Sequence, residues 1–193
     1  LAAMRLSPVP TLNWLGAAYV TVVRNTPLTL IILFCSFGLA QTLGVTLVDG
    51  NSPTSIEDSN FRLAVLGLAV YTAAFVCESL RSGINTVPIG QAEAARALGL
   101  GFMQSATEII LPQAFRGSVA PLGNTLIALL KNSTVAAAAS VATETSSLMS
   151  EMIEFRPDVI IQIFLIFALG YVILIIPIGM LTTYLSNKLA VRR

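Results

Sequence analysis

An all-α membrane protein, a bundle of helices crossing the bilayer several times, is the fold class this sequence predicts, and three observations predict it. Of its 193 residues 55% are apolar and only 11% charged, with a mean hydropathy of +0.80; a soluble domain carries charge on about a quarter of its residues. Uncharged runs recur at the length a helix needs to cross ~30 Å of hydrocarbon, about 20 residues. The basic residues collect in alternate loops, as in chains that fix their orientation by keeping Lys and Arg inside. Lipid is therefore the solvent, and the backbone must close its hydrogen bonds within helices.

Four crossings account for the runs. Asn25 to Val48 and Val159 to Asn187 contain no charged residue. Leu63 to Cys77 is bounded by Arg62 and by Glu78 and Arg81, whose long side chains can reach the interface, so a span over about 61 to 82 is expected. Gly117 to Leu130 is uncharged but holds Pro121 and Gly123 and runs into Lys131 and an Ala/Ser/Thr-rich stretch, Asn132 to Ser147. A short or broken helix is expected there, which membranes tolerate only beside protein or a watery cavity. Leu6 to Val23 is uncharged too, yet Pro8, Pro10, Asn13, Trp14, Gly16 and Tyr19 suit a turn and a helix lying in the interface. The opening Leu1-Ala2-Ala3-Met4-Arg5 has neither an initiator Met nor a signal-peptide pattern. It reads as the tail of an earlier, missing span, which would make five crossings.

With the segment 82 to 115 inside, eight of the eleven basic residues fall inside: Arg5, Arg24, Arg81, Arg96, Arg116, Lys188, Arg192 and Arg193. Arg62 and Arg156 fall outside, and Lys131 lies at membrane depth. The outward connections then hold Asp49, Glu57 and Asp58, and Glu144, Glu151, Glu154 and Asp158. Net charge is only +1, with no basic patch interleaved with aromatics, which excludes the electrostatic footprint of a nucleic-acid binder. There is no His, and the two cysteines, Cys35 and Cys77, sit in apolar stretches, so neither a metal site nor a disulfide framework has material.

The inward connection from Ser82 to Phe115 is longer than joining two spans requires. Gln91 to Leu98 is rich in helix formers, Gly99 and Gly101 end it, and Phe102 to Ile110 can form a second short helix stopped by Leu111-Pro112. An ordinary amphipathic hairpin on the membrane surface fits this periodicity equally. The spacing adds more. Glu93-Ala94-Ala95, three residues, Gly99, nine residues, then Ile109, one residue and Leu111-Pro112 resembles the EAA loop of bacterial ABC importer permeases at every defined position. The surroundings resemble the polar amino acid branch of that family: Arg24-Asn25-Thr26-Pro27-Leu28, Tyr71 to Phe75 with Glu78 and Arg81 to Ile84, Leu111 to Phe115, Pro121 to Asn124, and Leu129 to Ser133. The wording is most similar to actinobacterial glutamate uptake subunits.

The resemblance implies one transmembrane permease domain over 1 to 193 with the type I importer fold, set multi-pass in the cytoplasmic membrane, its coupling loop at 82 to 115. It implies that the loop docks on a separate ATPase, Glu93, Ala94, Ala95, Arg96, Gly99, Ile109, Leu111 and Pro112 carrying the contact. Small Ala94 and Ala95 would let backbones approach, Glu93 and Arg96 would pair with the ATPase, and Gly99 would make a turn where a side chain clashes. The chain has no GxxxxGK[ST] phosphate loop, so it does not itself bind ATP; the resemblance implies a subunit that is not an enzyme by itself and binds no cofactor, ATP and Mg being held by the partner. The implied assembly has two ATP-binding subunits, a second permease subunit, identical or homologous, and an extracytoplasmic binding protein delivering an amino acid.

For the pathway, ionisable and polar groups at membrane depth are the candidates: Glu78, Asn124, Thr125, Lys131, Asn132 and Ser133. Each has a packing alternative. Lys131 and Glu78 can pair with each other to hold the bundle, Glu78 can cap the rim beside Arg81, and Asn124 and Thr125 can bridge helices. Gly38, Gly44, Gly67, Gly170 and Gly179 are expected at close contacts or hinges. Two other classes compete: a secondary transporter or channel, which would show an internal repeat and several intramembrane charges, and a membrane anchor without its own pathway.

Overall fold

Helix dominates because a chain in lipid has no water to hydrogen-bond its backbone. The computed structural model describes residues 1–7, 9–48, 54–139, 141 and 144–189. Pro8, Asp49, Ser140, Ala142, Thr143, Arg192 and Arg193, used above, lie outside the described residues. The elements are α1 (Ala2–Leu6), α2 (Pro10–Asn25), α3 (Leu28–Leu33) continued by a π-helix (Phe34–Thr42), and α4 (Ser55–Asn85). After them come α5 (Ile89–Ala97) and α6 (Phe102–Gln104), continued by a second π-helix (Ser105–Ile110) straight into α7 (Leu111–Asn132). A 3-10 turn (Ser133–Ala139), α8 (Thr145–Phe155), a short 3-10 turn (Pro157–Val159) and α9 (Ile160–Leu189) complete the order. No strand occurs among the described residues.

Among those residues two helices are long and apolar enough to cross a membrane, Ser55–Asn85 and Pro157–Leu189, where the sequence predicts spans. The first expected span, Asn25 to Val48, is helical only from Leu28 to Thr42, and α2 meets that segment at a bend of 105°. Pro27 has no N–H to continue α2, so the helix stops: the Asn25 side-chain amide donates to the Thr21 carbonyl (2.7 Å) and the Thr26 hydroxyl to the Val22 carbonyl (2.9 Å), capping its end. At the far end Gly44 turns the chain in the left-handed region (φ +66). The Leu6 to Val23 stretch is thus the separate helix α2, bent away from the span that follows.

The fourth expected span is not broken inside. α7 runs through Pro121 and Gly123 for 22 residues, about 33 Å at 1.5 Å per residue. It gives way only after Asn132, where the Ser133 hydroxyl takes the Leu130 carbonyl and the Thr134 hydroxyl the Lys131 carbonyl, each at 2.8 Å.

The chain divides into two compact units. One comprises Thr21–Ala73 and Ala128–Ile176. Its core is Leu28, Ile32, Ala64, Ala136, Ala139 and Val141, with Leu68, Tyr71 and Val135 packed on it. Gly67 brings α4 onto α3 there, since a Cβ would sit 3.3 Å from the Ile32 Cα and 3.2 Å from its Cγ1. The alanine run Ala136 to Ala139 is therefore packing. The other unit comprises Leu1–Val20, Ala74–Ile127 and Pro177–Arg193, and carries the inward segment 82 to 115. Gly170 meets nothing within 4 Å and is neither a close contact nor, at an ordinary φ, a turn, whereas Gly179 makes an ordinary contact with Ile127 (3.7 Å).

Ile32 is wholly buried and Ile166 is 66% exposed. Ile32→Ala is expected to cost about 2–5 kcal/mol through the cavity left behind, and Ile166→Ala little. Thermal unfolding of the two variants in detergent micelles checks this.

Candidate functional site

The segment 82 to 115 folds as a hairpin of two helical arms. Pro88, extended at φ −61 and ψ 138, launches α5, which ends in a Schellman closure. The Leu100 N–H donates to the Ala95 carbonyl (3.1 Å) and the Gly99 N–H to the Arg96 carbonyl (2.9 Å), with Gly99 left-handed at φ +79. A Cβ at Gly99 would meet nothing within 4 Å, so backbone conformation, not the expected clash, requires glycine here. Gly101 then caps α6, its N–H donating to the Gln104 side-chain oxygen (3.2 Å).

The second arm continues into the membrane helix rather than stopping at Leu111-Pro112, a correction with a local cause. Proline cannot donate to the preceding turn and its ring crowds the carbonyl four residues back. The wider π turns over Ser105–Ile110, just before Pro112, accommodate both, and α7 follows without a break.

The two alanines do different things. α5 packs against Ser105–Ile110, and Ala95, 1% exposed, is buried in its own hairpin rather than offered outward, as is Ser105. Ala94, Glu93 and Arg96 are exposed, and among the described residues neither Glu93 nor Arg96 makes an ion pair. Around them lie large apolar side chains in the open: Ile89 at 79%, Leu98 at 80% and Phe102 at 82% exposure, with Met103 beside Phe102. Ile109 is half-buried, whereas Leu111 and Pro112 are exposed at the root of α7.

The pathway candidates separate. Thr125 bridges helices: its hydroxyl donates to the Pro121 carbonyl (2.9 Å) and lies 3.0 Å from the Ser79 hydroxyl of α4. Asn124 is exposed on the neighbouring position of α7. Glu78 is held by two arginines, Arg5 of α1 and Arg81 one turn along α4, the latter donating from Nη2 at 2.8 Å and Nε at 3.3 Å. The expected Glu78–Lys131 pair is therefore replaced by Glu78–Arg5 and Glu78–Arg81, with the rim-capping reading beside Arg81 realised in part. Lys131 is exposed at the end of α7, where a cation complements the helix dipole, and forms no ion pair among the described residues. Asn132 and Ser133 beside it are half-buried. Sequence reasoning missed Arg5, Ser79, Gly83 and Ser118. Arg5 carried no local signal, but Ser79 and Gly83, and Ala114 and Ser118, are small residues four apart, the spacing at which membrane helices approach closely.

A family model described as the binding-protein-dependent transport system inner membrane component matches residues 1–191. The chain belongs to that family. It is the permease component of an ABC importer, which removes the secondary-transporter, channel and anchor readings. Among its relatives are glutamate transport system permease proteins of Corynebacterium efficiens, 56% identical over 100% of this chain and 84% of the relative, and of Corynebacterium glutamicum, 55% identical over the same shares. A probable glutamine ABC transporter permease protein of Bacillus subtilis is 36% identical over 98% of this chain and 81% of its own length. A crystal structure of an amino acid ABC transporter with histidines matches 97% of the permease and 81% of that chain, at 27% identity and a TM-score of 0.79. The all-α importer-permease fold expected from the sequence is the fold it has.

The Glu78 carboxylate joins α1 to α4, so removing Glu78 should take from Arg5 its partner, while removing Arg5 leaves Glu78 to Arg81 alone. The double-mutant cycle of Arg5→Ala and Glu78→Ala, read by thermal unfolding in detergent, is expected to show a coupling of about 1–3 kcal/mol.

Proposed function

We propose that the permease imports a polar amino acid, glutamate, using ATP hydrolysed by a separate subunit that docks on the hairpin at 82 to 115. Two permease subunits, identical or homologous, form the pore, two ATP-binding subunits holding ATP and Mg drive it, and an extracytoplasmic binding protein delivers the substrate. The chain crosses the cytoplasmic membrane several times, with the hairpin inside.

One observation carries the coupling part: Ile89, Leu98 and Phe102 are four-fifths exposed around an outward, unpaired Glu93 and Arg96. Apolar side chains so exposed on a short hairpin, with an acid and a base among them, suit a partner groove that offers both apolar surface and complementary charge. Glu93 and Arg96 then set register and approach, while Ala94 lets the groove wall close on the backbone. Ala95, Ile109 and the Gly99 closure keep the arms in shape, and Leu111 and Pro112 start the helix that carries the movement inward. The substrate rests on 56% identity to a glutamate transport system permease protein along the whole chain. Lys131, with Asn132, Ser133 and Asn124, supplies an ammonium and neutral donors suited to carboxylates. Glu78 stays with its arginines and serves the frame.

Glu93→Lys is expected to weaken binding of the ATPase at least tenfold in pull-down titrations. Gly99→Ala should weaken it about five- to thirtyfold, because left-handed backbone costs a side chain roughly 1–2 kcal/mol, and Gly99→Asn less. In liposomes holding the complete transporter and its binding protein, glutamate should stimulate ATP hydrolysis more than glutamine or arginine. Hydrolysis indifferent to all three overturns the amino-acid assignment, and unchanged binding by Glu93→Lys overturns the docking site.

A further inference from the structure

The two helices that lead into and out of the hairpin, α4 and α7, approach closely next to it. The contact residues are Ser79 and Gly83 of α4 and Thr86 in the turn just after it; on α7 they are Ala114, Gly117, Ser118, Pro121 and Thr125. A Cβ on Gly83 would overlap the Ser118 hydroxyl and the Ala114 carbonyl and come within 2.8 Å of the Ser118 amide nitrogen. A Cβ on Gly117 would overlap the Thr86 hydroxyl and lie 3.2 Å from the Gly83 carbonyl. Higher up, the Ser79 hydroxyl meets that of Thr125 at 3.0 Å and the Pro121 carbonyl at 3.3 Å. Ser79, Ala114 and Ser118 are buried. The contact extends from Ser79 to Gly83 on α4 and from Ala114 to Thr125 on α7, roughly 6 Å and 16 Å of helix, reaching to within a turn of where α4 ends and α7 begins.

We propose that the hairpin and the ends of α4 and α7 next to it form one rigid lever, with Gly83 and Gly117 as the positioning residues that let the two helices lock. The proposal rests on the docking role given to the hairpin above. Were the two helices loosely packed, a push on the hairpin would spread its legs and be lost as local bending. With backbones in close approach at Gly83 and Gly117 and the Ser79 hydroxyl joined to α7 above them, the legs cannot spread or slide, and the push reaches both helices together. In lipid this lock depends on close packing and short polar contacts, because there is no water to drive apolar surfaces together. The lever's internal geometry therefore stays fixed through the transport cycle, and its movement is as a body.

The test is a cross-link. In the complete transporter with Cys35→Ala and Cys77→Ala, Ser79→Cys and Thr125→Cys place two thiols where hydroxyls now lie 3.0 Å apart. The pair is expected to oxidise readily, and glutamate uptake by the oxidised transporter should stay within twofold of that by the same protein after reduction. Uptake lost on oxidation and restored by reductant overturns the rigid lever, as does failure to cross-link. Gly83→Ala should lower substrate moved per ATP hydrolysed at least tenfold, whereas Gly170→Ala, with open space around it, should leave that ratio unchanged; an unchanged ratio in Gly83→Ala overturns the positioning role. Should Gly83→Ala fail to fold, the cross-link decides alone. Loss of uptake in the reduced, otherwise unsubstituted transporter would instead indict the proposed function, so the two failures are distinct.

Discussion

The contact between Gly83 of α4 and the Ser118 and Ala114 backbone of α7 is the constraint on which the functional half of this permease depends. It sets the distance between the two roots of the hairpin. In water, such an approach would be one contribution among many, outweighed by burial of larger side chains. In lipid, apolar burial distinguishes little between helix against helix and helix against acyl chain, so fit and short-range polar contact decide. That is why the residues here are glycine, alanine, serine and threonine rather than leucine and isoleucine.

Charge is treated oppositely at the frame and at the working surfaces. Glu78 meets two guanidinium groups, so the one acid inside α4 at that level is neutralised within the chain and ties α1 to the helix. Glu93, Arg96 and Lys131 form no ion pair among the described residues, although acids and bases are equally available to the fold. A charge neutralised internally has little left to offer a partner, whereas an unpaired one keeps its full interaction for a docking subunit or a passing carboxylate. In the proposed function, the paired Glu78 ties α1 to α4, while Glu93, Arg96 and Lys131 stay available to a partner subunit or a carboxylate.

Much of this was legible in the sequence, for reasons that differ by residue. Spans over α4 and α9 follow from length and apolarity alone. The hairpin was legible because Gly99, Gly101 and the helix formers around Glu93 are local signals, and the Schellman closure is what those signals produce. What the sequence concealed was set by contacts distant along the chain. Arg5 precedes Glu78 by 73 positions, and no periodicity announces that the two meet. Pro121 and Gly123 suggest a broken helix when read locally. In the fold, however, the Pro121 carbonyl is taken up by Thr125 and Ser79, and Gly123 seats against Thr182 of α9, where a side chain would overlap, so tertiary contacts keep α7 whole. The first span is overestimated for the opposite reason: hydropathy carries on past Pro27 and Gly44, while backbone geometry does not.

Gly99 and Ala95 resolve what the glutamate–alanine–alanine pattern is for. If both alanines faced the ATPase, either could be enlarged at a cost only to docking. Instead Ala94 is outside and Ala95 inside, where α5 rests on the π-helical arm. The carbonyl of Ala95 also receives the Leu100 N–H that closes the turn at Gly99, so the residue that sets the spacing of the arms is the one that fixes their corner. The pattern therefore encodes a shape, a small residue and a left-handed glycine for the hairpin itself, and in the proposed function a contact as well, an acid and a small residue for the partner. A docking surface that must pass on force needs both, because an apolar edge such as Leu98 and Phe102 binds equally well on a flexible loop but transmits nothing from it.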